Sequence, residues 1–361
     1  MRRTFQLATA LAGLAAALPI TAQAVPEIPF EAVDALSGFP NDVHLGEVAG
    51  VARNSEGEIF VYTRTGNPTV TLGTARTVSH GGSRLFRFDA NGRYQGEWGI
   101  GVYGFLQAQQ VRVDAQDNVW TVDLMANQVV RFDPNGRVSM VFSRKPEAMN
   151  VPLANPPPAG GRGGGGGGGR GGGAAPGAGP EGESFNRPAD VAVDAEGYIY
   201  VADGLGNNAR VAKYEPGSGR WVMNWGSRGS GQGQFDGVSG IAIDAQGLVY
   251  VADRGNQRVQ VFNNSGVFQR EIRGVGSPGA ICISPGSPQY LFVSNSNPPE
   301  NIDEGGEIYK VELNGRVVGR FGRAGRVIGQ FNATNAIDCR DPNELLVGEL
   351  GSWRVQRVTL Q

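Results

Sequence analysis

The stretch VAVDAEGYIYVADGLGNNARVAKYEP at residues 191–216 returns as IAIDAQGLVYVADRGNQRVQVFNNSG at 241–266. Fainter copies begin at Val51 (VARNSEGEIFVYTR), Val111 (VRVDAQDNVWTVDLMANQVVRFDPNG), Ala280 (AICISPGSPQYLFVSN) and Ala336 (AIDCRDPNELLVGEL). A unit repeating at about 40 residues or more cannot bury its apolar faces alone, and such periods mark propellers or solenoids. In the best copy Val191, Val193, Ile199 and Val201 alternate with small or polar residues, and Glu196-Gly197 supplies a tight turn between two strands. A third strand follows around Val211–Tyr214, and a fourth closes at Trp225-Gly226, as other copies close at Trp98-Gly99 and Phe321-Gly322. Four antiparallel strands make one propeller blade.

The copies predict an all-β, six-bladed propeller with blades at about 46–99, 104–142, 184–226, 234–273, 276–322 and 330–361. The last copy ends after three strands, so IPFEAVDAL, near the start of the chain, is expected to supply the fourth and close the ring. The 361 residues read as one domain over 25–361, because the repeats fill it.

The formal net charge of −2 exerts no global pull toward nucleic acid or anionic lipid, so any partner is selected locally. Residues 1–24 combine two arginines, an apolar run and Ala22-Gln23-Ala24, the pattern of a cleaved signal peptide. That predicts a periplasmic or secreted protein starting near Val25, with no membrane span. Residues 151–183 are rich in glycine and proline and read as a disordered loop between blades two and three. Export permits a disulfide between the only two cysteines. Repeat alignment puts Cys282 level with Ala242 and Cys339 level with Ile243, on opposite sheet faces, which favours two separate buried cysteines.

Motifs such as YIYVADGLGNNARV and LVYVADRGNQRVQVF resemble NHL repeats, whose six-bladed propellers serve as binding scaffolds and occasionally as enzymes. The motif order is similar to that of the lyase family that cleaves peptidyl-α-hydroxyglycine to a peptide amide and glyoxylate. The resemblance implies a catalytic zinc held by channel-facing histidines, but the matching positions here are Gln109, Ser239 and Asn335. Neutral oxygen donors are poor zinc ligands, so zinc is not expected. The family's catalytic tyrosine is matched by Leu205, which cannot move a proton. Two of its arginines are matched by Arg64 and Arg254, and a guanidinium suits a carboxylate.

Other candidates read as structural. His44 and His80, the only histidines, lie outside the repeats' strands and have no ligand spacing between them. Asp123, Asp203 and Asp253 recur at one point in the repeat, where a carboxylate fixes a turn by accepting backbone N–H bonds. Asn127, Asn207 and Asn256, with Arg210 and Arg258, fit the same reading. Arg254 departs from it, since four of the other copies have no arginine there.

The expectation is a noncatalytic binding or assembly scaffold whose funnel takes a small anion, a peptide or a protein. Arg64 and Arg254 would meet the anion, with Gln109, Ser239 and Asn335 as hydrogen-bonding groups. The alternative is a divergent metal-dependent lyase or lactonase, with calcium on oxygen ligands drawn from Glu47, Asp190, Asn335 and Glu349.

Overall fold

The computed structural model describes residues 25–65, 69–72, 76–79, 82–142, 185–297, 301 and 303–361. The signal peptide predicted at 1–24, His80 and the glycine-rich loop predicted at 151–183 lie outside the described residues.

Six four-stranded antiparallel sheets stand in a ring. Their innermost strands are Glu47–Arg53, Ala108–Val113, Pro188–Val193, Val238–Ile243, Pro278–Ile283 and Thr334–Asp341. Blade six borrows its outermost strand, Phe30–Asp34, from the start of the chain, with Phe30 opposite Leu360 and Asp34 opposite Gln356. The two ends of the chain therefore close the ring, as IPFEAVDAL predicted. Blade one carries an extra hairpin, Thr69–Leu72 with Arg76–Ser79, between its second and third strands. Among the described residues no helix is long and apolar enough to cross a membrane.

The alternation read from the sequence gives each sheet two apolar faces, and each face packs on a neighbouring blade. Six apolar clusters result, one per blade interface. Tyr200 and Trp225 of blade three, for example, pack with Ile241, Val251 and Phe262 of blade four. The aromatic-glycine pairs are wedges between blades. Gly226 and Gly322 have φ near +107° and +76°, and a Cβ on either would sit 2.5 Å or less from the ring of Phe235 or Phe331.

The same face-to-face packing corrects the reading of the cysteines. Cys282 and Cys339 form a disulfide with Cα atoms 6.0 Å apart. They do lie on opposite faces of their own sheets. In a propeller, however, opposite faces of adjacent blades confront each other, and both residues belong to the cluster between blades five and six.

Candidate functional site

Each innermost strand carries a register shift near its start, between Ala108 and Gln110, Val238 and Gly240, and Thr334 and Ala336, for example. A bulge re-aims the extra residue. Here it sets Ala49, Gln109, Ala189, Ser239, Gly279 and Asn335 at equivalent points around the upper channel, with the three polar residues on alternate blades.

Those three side chains brace the channel rim. Asn335 donates its amide hydrogens to the backbone oxygens of Ala49 (2.6 Å) and Gln109 (2.8 Å), joining blade six to blades one and two. Ser239 Oγ donates to Pro278 O at 2.6 Å, joining blades four and five. Gln109 Oε1 accepts a bond from Arg64 Nη2 at 3.0 Å. Arg64 also donates to Ala108 O at 2.8 Å and pairs with Glu47 at 3.2 Å. A Gln, Ser and Asn trio in these bonds does not fit a catalytic zinc.

Arg254 stands at the position of Arg64 in the blade directly across the ring, since strand pairing sets Arg64 opposite Glu47 and the Arg254 backbone against Gly237. Its guanidinium is half-buried, burial alone lowers its pKa, and among the described residues no side chain or carbonyl receives its hydrogens. The corresponding residues of the other blades are Leu124, Gly204, Ser296 and Leu350.

Below the polar rim a crossbar spans the channel. Arg112 makes a bidentate pair with the fully buried Asp190, Nε to Oδ1 at 2.9 Å and Nη2 to Oδ2 at 2.6 Å. It also donates to Ile337 O (3.3 Å) and Ile281 O (3.0 Å), while Asp190 accepts the backbone N–H groups of Val191 and Ile241. One ion pair thus ties blades two to six together. Burial pulls the Arg112 pKa down, but Asp190 more than offsets it, and the net shift is upward. The sequence held a cue, because Arg112 and Asp190 replace the small residues that several repeats carry there.

Glu349 is also fully buried. It accepts from the Asn332 backbone N–H, Arg354 and Gln356, just as Asp203 accepts from Asn186 N and Arg210, and Asp253 from Asp236 N and Arg258. It is the blade-six form of the turn-fixing carboxylate, recognisable from VGEL beside VADG and VADR. Glu47, Asp190 and Glu349 are thus each committed to arginines, and among the described residues no three His, Cys, Asp or Glu side chains converge as a metal site. His44 is exposed.

These features define an NHL-repeat, six-bladed β-propeller. The NHL repeat profile matches residues 185–214 and 235–262. The chain is similar to peptidyl-alpha-hydroxyglycine alpha-amidating lyase 1 of Drosophila melanogaster, with 27% identity over 208 residues. That match covers 55% of this chain and 32% of the relative, so the chain spans about a third of its length. Among solved structures, a gluconolactonase from Xanthomonas campestris superposes with a TM-score of 0.57 at 13% identity, covering 93% of this chain and 95% of that one. A virginiamycin B lyase from Staphylococcus aureus gives 0.52 at 12%, covering 93% and 100%. At these identities the structural likeness establishes the fold.

Proposed function

We propose that the funnel is a noncatalytic binding site for a carboxylate-bearing small molecule or peptide terminus, anchored by Arg254. The observation that carries this reading is the contrast between the two channel-mouth arginines. Arg64 is committed to Gln109, Ala108 and Glu47, whereas Arg254 bears the cost of burial with no protein anion to offset it. An incoming carboxylate would supply that anion through paired hydrogen bonds. The Drosophila relative's name points to a substrate of this type, since peptidyl-α-hydroxyglycine ends in a carboxylate.

The chemistry of the neighbouring residues supports binding without turnover. General acid–base catalysis needs a group that titrates within reach of the substrate. Around this rim the matching groups are amides, a hydroxyl and the apolar Leu205, and the Asn335 and Ser239 donors are already bonded to backbone. The carboxylates of the metal-dependent alternative are held by arginines. The leader and the disulfide together support residence in an oxidising, extracytoplasmic compartment.

Incubation with a peptidyl-α-hydroxyglycine, with and without zinc or calcium, tests this reading. The expected result is binding that depends on Arg254 and no enzyme-dependent glyoxylate. Metal-dependent glyoxylate release lost in Arg254→Gln would overturn the noncatalytic reading.

A further inference from the structure

The propeller carries its own internal control for a second surface. The connector from blade three to blade four and the connector from blade five to blade six share one set of hydrogen bonds. In the first, Arg258 Nη2 donates to Gly231 O and Gln234 O, Gln260 Nε2 to Gln234 O, and Gly233 N to Gln260 Oε1. In the second, Arg354 Nη2 donates to Val327 O and Gln330 O, Gln356 Nε2 to Gln330 O, and Gly329 N to Gln356 Oε1. Bond for bond, Ser230, Gly231 and Gln232 correspond to Arg326, Val327 and Ile328. The loop's shape therefore needs no apolar tip, yet Val327 is 63% exposed and Ile328 42%.

The adjoining turn shows the same departure. Asn127 and Gln257 occupy its left-handed position in blades two and four, with φ of 54° and 52°. Blade six places Trp353 there at φ 55°, and the residue is 62% exposed. A bulky residue in that backbone region is unfavourable, and this one gains no core packing in return. A third funnel-face loop, from blade one to blade two, exposes Ile100 (79%) and Tyr103 (87%).

We infer that this arc of the funnel face, over blades six to two, docks the propeller onto an anionic phospholipid surface. Three observations select that occupant. The apolar tips are spread over separate loops of one face, which suits a planar partner. Trp353 and Tyr103 are the residue types that favour a membrane interface. Arg323 and Arg326 are exposed and form no ion pair among the described residues, including with Asp303 and Glu304 of the neighbouring loop, which leaves both for lipid phosphate. The inference is independent of the Arg254 site.

The chain from Val25, which holds all six blades, is tested by sedimentation with phosphatidylcholine vesicles with and without phosphatidylglycerol. The parent is expected to bind the mixed vesicles preferentially. Arg326→Gln should weaken binding about fivefold, the effect of one basic residue near an anionic surface. A graft of the blade-four residues (Arg326→Ser, Val327→Gly, Ile328→Gln, Trp353→Gln) should weaken it by more than about tenfold. Because blade four already folds with those residues, the graft should keep the parent melting temperature. A parent that does not favour phosphatidylglycerol, or a folded graft that binds as well as the parent, overturns the assignment.

Discussion

Replacing Arg112 by methionine tests the crossbar that ties five blades at the channel axis. The change keeps much of the side chain's bulk and removes a bidentate pair and two bonds to backbone carbonyls. Asp190 stays fully buried with only the Val191 and Ile241 backbone donors. Removing one partner of a buried pair costs about 3–5 kcal/mol, most of it from the charge left behind. The described part of the propeller, about 280 residues, corresponds to an unfolding entropy of about 0.6 kcal/mol/K, so the midpoint should fall by about 5–8 °C. Urea titration followed by tryptophan fluorescence, together with calorimetry, measures both quantities. Adding Asp190→Asn removes the stranded charge and keeps an acceptor for one backbone donor, so the double variant should be more stable than Arg112→Met alone. A single variant costing less than about 1 kcal/mol, or a double variant worse than the single, would refute the reasoning.

Two further outcomes follow from the same physics. Reducing the Cys282–Cys339 bond, which closes a loop with a sequence separation of 57, should lower stability by about 4 kcal/mol, read as a lower melting temperature in reductant. Stability should also fall as pH rises past about 10, the ordinary tyrosine value. Burial raises the pKa of Tyr62, Tyr200 and Tyr250 in the fold, so the unfolded chain releases those protons first. The stabilising contribution is complete below pH about 10 and shrinks above it. Burial lowers Lys213 and Lys310, which act in the opposite sense. Tyr62→Phe should reduce the slope between pH 10 and 11, and an unchanged slope in urea titrations would count against the assignment.

The architecture was legible because the repeat states it several times over: strand alternation, turn dipeptides and closing aromatics recur in register, and the one missing strand had an apolar candidate near the start of the chain. Relations between blades were less legible. The cysteines were judged by the faces of their own sheets, although the facing blade decides which side chains meet. Glu349 read as a candidate calcium ligand because glutamate masks its equivalence to Asp203 and Asp253. The crossbar escaped because Arg112 and Asp190 come from different repeats and meet only when the ring closes. Arg64 and Arg254 looked equivalent in sequence, and only their surroundings separate a bracing arginine from one left uncommitted.

The central claim rests on Arg254, and calorimetric titration with N-benzoylglycine beside its neutral amide tests it most directly. The account predicts binding of the carboxylate over the amide, weakened by about tenfold or more in Arg254→Gln, because a hydrogen bond to a charged group contributes about 1.5–3 kcal/mol. Equal affinity in parent and variant, or no preference for the carboxylate, would contradict it.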